Sequence, residues 1–446
     1  MQKSLLQQPK SLFQLVWPIY LDFLLQMLVG NIDQIMISSV SPTAVAAIGN
    51  SNQVVNMMII TLSVVSLASI ILISVQLGAN NYDRVNLLCN TSLAMDIVIS
   101  SVLGVLFMLL CRPIYLMMKV PSEVVPEAVL YSRIVGLGMV FQGIYVAYVS
   151  FFKSYSYTSQ ALVISLLLNV TNVVGNAFLL YVVPMGIAGV AISTTLSRFF
   201  ACAASFFLFR KLVPSVKLSR KALKPFPFVT LKKILAIGLP SGGEDFSYNF
   251  SQLIIMVFVN MMGTKVINTK IYCSMIAMAC YILSRAIAQA QQILIGYLVG
   301  QNKIDAIDTS VRKTCLVAVL ISEAFTFGVF VLSSQVLGIF TQDAEILALG
   351  HEIIKIELIL EIGRAVNMVM VTALQASGDI KFPVLTALVC MWSLAVLLGY
   401  VLGIVLGWGL QGIWIAMALD ECVRAVVFLI RWKKGKWKTL CTSLVQ

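Results

Sequence analysis

The chain has 446 residues, 59% of them hydrophobic and 11% charged, with a mean hydropathy of +0.94 and a formal net charge of +12. A soluble domain carries about 25% charged residues, so the composition excludes that class and points to a polytopic membrane protein. The positive charge falls in loops between apolar stretches, which the positive-inside bias explains without nucleic acid as a partner, and nine cysteines, an odd number set mostly in apolar stretches, argue against a disulfide framework.

A membrane span needs about 20 apolar residues. Twelve are expected, at 14–38, 44–75, 86–111, 126–151, 161–183, 187–209, 233–262, 267–298, 309–337, 347–375, 382–406 and 410–431. Lys3 and Lys10 precede the first, but no small-residue cleavage site follows, so no removable signal peptide is expected. The first span opens at Trp17-Pro18 and carries Asp22, Gln26, Gly30 and Asp33 at spacings of four, four and three. These share one helical face, with the two aspartates about 16 Å apart along the axis. The turn after the second span reads Gln76-Leu77-Gly78-Ala79-Asn80. On the fifth, Asn169, Asn172 and Asn176 make a second polar stripe; the sixth opens with Gly186-Ile187-Ala188-Gly189 and adds Ser193, Thr194 and Thr195.

Intramembrane polar groups cost free energy unless they are paired or wet. A carboxylate among amide and hydroxyl oxygens suits a hard monovalent cation or a proton. The competing reading is that the asparagines and threonines join helices by hydrogen bonds.

From Phe209 to Lys233 the chain holds eight Lys or Arg, three prolines and no acid, which makes it an aqueous linker. The expected organisation is therefore an N-terminal lobe at 1–209, a basic cytoplasmic linker at 210–232 and a C-terminal lobe with a basic tail at 233–446. Beyond the linker, Pro240-Ser241-Gly242-Gly243-Glu244-Asp245 opens the seventh span, followed by Tyr248. The tenth span carries Glu357, Glu361 and Arg364 on one face, where Glu361 and Arg364 form either an intrahelical pair or a charged cavity wall. As a pair, neutralising Glu361 would strand Arg364. Asp420, Glu421 and Arg424 on the twelfth are expected to pair within that helix, Arg198 and Arg285 to snorkel or pair across helices, and His351 to be solvated. Lys and Arg outside the spans or within about a turn of their ends divide 21 to 4, with Lys153 counted on the inner side, so both termini are expected in the cytoplasm.

The halves repeat. Pro18 and Pro240 lie 222 residues apart, as do Asn80 and Asn302, while Gly186 and Gly409 lie 223 apart. Six spans per half make a parallel repeat, two lobes related by a pseudo-two-fold along the membrane normal, as in secondary transporters that work by alternating access.

Trp17-Pro18, Asn31-Ile32-Asp33, the Gln76–Asn80 turn, Gly186–Ala191, Gly238-Leu239-Pro240 and Gln375-Ala376-Ser377-Gly378-Asp379 carry a resemblance to the multidrug and toxic compound extrusion (MATE) transporters over residues 11–435. That resemblance implies a twelve-helix cation-coupled antiporter, not an enzyme. It would export cationic or amphipathic drugs in exchange for Na+ or H+ from the inner (plasma) membrane, as a monomer within the lipid bilayer, with no cofactor. It also implies a cation-coupling site at Asp33, Asn172, Asn176 and Thr194, with Asn176 where many members carry an acid. Asp22, Gln26, Glu244, Tyr248, Glu361 and Arg364 are the candidates for the substrate cavity. A lipid-linked sugar flippase is the nearer alternative and a membrane-embedded enzyme the farther one. One histidine and no G-x-x-x-x-G-K-[ST] loop weigh against an enzyme and an ATP-driven pump.

Overall fold

In the protein's computed structural model, residues 11–29, 32–38, 41–219 and 224–445 are described, and among them the chain is helical with no strand. Helix α1 comprises Leu12–Val29 and Ile32–Ser38; Gly30 lies outside the described residues. There follow α2 (Pro42–Gly78), α3 (Tyr82–Met117), α4 (Val125–Leu137 continued by Met139–Ser154), α5 (Thr158–Val182) and α6 (Gly186–Leu212). The second half contains α7 (Phe228–Asn260), α8 (Thr264–Gly300), α9 (Ile304–Val331), α10 (Ala344–Ala376), α11 (Lys381–Val405) and α12 (Gly409–Lys433). Each of the twelve expected spans is present, most of them longer than expected at their ends. This is the all-α fold of two six-helix lobes.

Eight helices among the described residues are long and apolar enough to cross a membrane, and a ninth follows if the two pieces of α4, bent by 49°, make one span. The remaining three, α7, α10 and α12, carry interior acids, joined by arginines on α10 and α12, that lower their hydropathy. The ninth expected span ran to residue 337, but α9 ends at Val331 and Ser333–Gly338 forms a separate short helix. Ser333 Oγ pairs with His351 Nδ1 at 2.7 Å, and that imidazole stacks on Phe330, so His351 is held rather than solvated.

The chain divides into two units, Leu21–Gly242 and Ser11–Tyr20 with Gly243–Gln446. The repeat is visible in the backbone of each. Asn80, Ser156, Asn302 and Gly378 all have positive φ. Each sits at a helix end closed by a six-to-one bond, Asn81 N–H to the Gln76 carbonyl (2.9 Å), Tyr157 to Phe152 (2.8 Å), Lys303 to Leu298 (3.0 Å) and Asp379 to Leu374 (2.9 Å). Gly186 and Gly409, both with positive φ, open α6 and α12 after π-helical turns at Phe178–Val182 and Val401–Val405.

Lipid tails are as apolar as leucine, so helices here associate through close packing and hydrogen bonds. In the first unit a Cβ on Gly104 of α3 would lie 2.6 Å from the Gly136 carbonyl oxygen of α4, and one on Gly143 would lie 2.7 Å from the Asp96 carbonyl oxygen. Glycine alone permits these approaches.

Candidate functional site

α4 bends where Gly138 N–H turns to the Val135 carbonyl. That leaves the Ile134 carbonyl free of its helical partner, and Thr195 Oγ1 of α6 donates to it at 3.1 Å. This contact fixes α6 so that the neighbouring Thr194 faces Asp33. Asn176 Nδ2 donates to Asp33 Oδ1 at 2.6 Å, and the Thr194 hydroxyl lies 3.2 Å from Asp33 Oδ2 and 2.9 Å from the Val190 carbonyl. A single hydroxyl proton serves only one of those acceptors at a time. Asn172 Nδ2 lies 3.3 Å from Thr194 Oγ1, and Ser193 Oγ donates to the Asn172 carbonyl at 2.8 Å. The structure therefore gathers Asp33, Asn172, Asn176 and Thr194, from three helices, around one carboxylate.

Two residues join this group that sequence spacing did not single out. Tyr131 of α4 is buried close to Thr194. Arg198 lies one turn beyond Thr194, is 8% exposed and acts electrostatically on Asp33 without closing an ion pair. Asn176 Oδ1 is buried with no hydrogen-bond partner. An unspent acceptor beside a carboxylate, an amide and a hydroxyl fits a small cation or a proton donor as cargo.

The other first-unit candidates separate. Asp22 is 2% exposed and forms an ion pair with Lys153 Nζ at 3.3 Å, while Gln26 is exposed. Lys153, expected among the inner-side loop cations, is 6% exposed inside α4 because Asp22 compensates its charge.

In the second unit Arg364 lies 2.9 Å from Glu357 Oε1 and 2.7 Å from Glu361 Oε2. Ser284 Oγ donates to Glu361 Oε1 at 2.6 Å and the Trp414 indole N–H to Glu357 Oε2 at 2.6 Å. A small cavity beside Glu357 is lined by Cys273, Cys280, Thr326 and Trp414. α12 repeats the pattern: Arg424 lies 2.6 Å from Asp420 and 3.1 Å from Glu421, and Asn367 Nδ2 of α10 joins the two groups through Glu421 Oε2 at 2.6 Å. Glu361 and Arg364 are thus brought together with Glu357, which pairs with the same arginine. Glu244 is half-buried on α7 and interacts electrostatically with Arg424, and Tyr248 is exposed within its unit. All nine cysteines are free.

Residues 18–178 and 240–401 each match the MatE family, with starts 222 residues apart, the spacing of the internal repeat. The chain is 34% identical over 431 residues to YisQ, an uncharacterized transporter of Bacillus subtilis (strain 168), covering 96% of this chain and 94% of the relative. It is 23% identical over 438 residues to NorM, a probable multidrug resistance protein of Thermotoga maritima, covering 96% and 93%. A crystal structure of MATE in the bent conformation superposes with a TM-score of 0.89 over 98% of this chain and 96% of the other, at 18% identity, a likeness of fold.

Proposed function

The chain belongs to the MATE family of membrane transporters, and from that premise we propose that it is a secondary antiporter. It exports organic, cationic or amphipathic compounds in exchange for Na+ or H+ by alternating access, as a multi-pass inner-membrane monomer with cytoplasmic termini. The observation that carries this reading is Asp33, a carboxylate held by Asn176 at 2.6 Å and Thr194 at 3.2 Å beside an acceptor with no partner. Release of the coupling cation would leave Asp33 to these donors and to Arg198; its return would reorder them.

Glu244 and Tyr248, with the paired Glu361 and Arg364 behind them, are the proposed second-lobe contacts for the substrate's cationic part. Asp22 is proposed to hold α1 through Lys153 rather than to touch substrate.

The test is export from proteoliposomes under an imposed Na+ or pH gradient, with a panel of compounds graded by charge. Asp33→Asn, nearly isosteric, is expected to reach normal abundance and lose gradient-driven export; wild-type export from it would sink the coupling assignment. Glu244→Gln is expected to weaken export of cations more than of neutral compounds, and equal losses would remove it from the substrate wall.

A further inference from the structure

Seven acids are buried among the described residues: Asp22, Asp96, Glu357, Glu361, Asp379, Asp420 and Glu421. Six have an arginine or lysine within ion-pair distance. Asp96, 0% exposed in the middle of α3, has none, and neither carboxyl oxygen receives a hydrogen bond from the protein. An uncompensated charge in that position costs several kcal/mol, so the charge must be cancelled by something the site takes in.

The surroundings show what fits. Ser92, Asp96, Ser100 and Gly104 follow one another at intervals of four and share a face of α3. α2 closes this face on one side, where Ser69 Oγ donates to Ser92 Oγ at 2.7 Å. The two pieces of α4 close it on the other, at Gly136 against Gly104 and at Gly143 against Ser100 and the Asp96 backbone. The Ser100 hydroxyl donates to the Ile97 carbonyl at 3.2 Å, so its hydrogen is turned away from the acid. A sodium ion needs five or six oxygens around it, and this close-packed face does not assemble them. A proton needs only the carboxylate.

No charged neighbour competes. α2 contains no Asp, Glu, Lys, Arg or His. On α4, Glu127 accepts from Thr43 at 3.2 Å, Lys153 pairs with Asp22 and Arg133 is exposed. The tyrosines of α4 lie by other groups, Tyr131 near Thr194, Tyr145 near Ser165 and Tyr148 among phenylalanines. On α3 itself Tyr115 pairs with Ser51 at 2.8 Å, and Asp83, Arg84 and Arg112 lie at the helix ends. None of these groups forms an ion pair or a hydrogen bond with Asp96.

We propose that Asp96 is an exchangeable proton-binding site in the first bundle, separate from the Asp33 group. The step is a simple transfer: the carboxylate gains a proton from water to become the neutral acid and returns it on release. Asn90, about 9 Å along α3 from Asp96, meets the linker through its amide at the Lys217 carbonyl (3.1 Å), which puts the water side at that end of the helix. Asp96 and Asp33 also flank one bent element. α4 touches the Asp96 face through Gly143, and its freed Ile134 carbonyl holds Thr195, the neighbour of Thr194.

The test needs no transported substrate, so its outcome is independent of the exporter reading. Infrared spectra of the full-length protein in lipid nanodiscs are expected to contain a protonated-carboxyl C=O band that shifts in D2O and changes across a pH titration. The band should be lost in Asp96→Asn and retained in Asp33→Asn. A spectrum unaltered by Asp96→Asn, or an Asp96 band that neither exchanges nor responds to pH, overturns the proposal. Should Asp96→Asn fail to accumulate, dicyclohexylcarbodiimide labelling of the wild type followed by peptide mass spectrometry decides: an adduct on Asp96 supports the site, and an unmodified peptide refutes it.

Discussion

Arg364 is held between two carboxylates of its own helix, and this arithmetic decides what each substitution there does. Arg364→Leu leaves Glu357 and Glu361 buried with no counter-charge, which costs about 3–5 kcal/mol when one partner of a buried pair is removed. Glu361→Gln leaves Arg364 on Glu357, and the new amide oxygen still accepts from Ser284, so the arginine is not stranded as intrahelical pairing alone implied. Thermal unfolding of the purified protein should therefore fall steeply for Arg364→Leu and mildly for Glu361→Gln; equal falls would show that Glu357 carries no compensating role. The tenth-span acids were legible because i, i+3 and i, i+4 neighbours follow from helix geometry alone. The Asp22–Lys153 pair was not, because it depends on which helices become neighbours, and no single-helix spacing encodes that.

α4 shows how one element serves two faces of a bundle. Its bend releases the Ile134 carbonyl to Thr195, and on either side of the bend Gly136 and Gly143 let α3 approach to backbone contact. A methyl group at 143 would press on Ser100 and the Asp96 carbonyl, where backbone offers no room to relax. Gly243 on α7 is the control: a Cβ there meets nothing within 4 Å. Gly143→Ala is expected to lower the melting temperature, by about 1–3 kcal/mol of stability as overpacking does. Gly243→Ala should be neutral or stabilising by up to about 1 kcal/mol, from helix propensity alone. A Gly143→Ala protein as stable as wild type would mean that α3 and α4 are less tightly packed than this contact requires. Hydropathy located α4 as a span but not its bend, since Gly136 and Gly138 read as ordinary membrane glycines until Thr195 supplies the partner for the freed carbonyl. Asp96 was equally silent: its Ser92 and Ser100 neighbours at spacings of four are a visible stripe, but only burial without a partner separates it from helix-packing polarity.

At the scale of the whole chain, the repeat was legible because turns need particular residues. Asn80 and Asn302 adopt the same left-handed turn, and Gly186 and Gly409 another. The Ser156–Gly378 pair escaped notice because two unlike residues fill one backbone role. Topology rests on the Lys and Arg count, from which Lys153 must now be withdrawn as a buried partner of Asp22; the imbalance hardly changes, because the linker supplies so much of it. The linker is also anchored: Ser219 N–H donates to Asn90 Oδ1 at 2.8 Å and Lys217 N–H to Asn86 Oδ1 at 2.9 Å, so it shares a membrane side with the start of α3. Ser219 is exposed, which makes it a reporter of that side. With a cysteine-free background and Ser219→Cys, an impermeant maleimide should leave intact cells unlabelled and react after permeabilisation. The anchoring bond comes from the backbone N–H, so the substitution preserves it and the reporter stays in place. Ready labelling in intact cells would put the linker and the start of α3 on the outer face. Because six spans separate the linker from each terminus, that result would also carry both termini outside and reverse the direction in which Asp33 and Asp96 meet water.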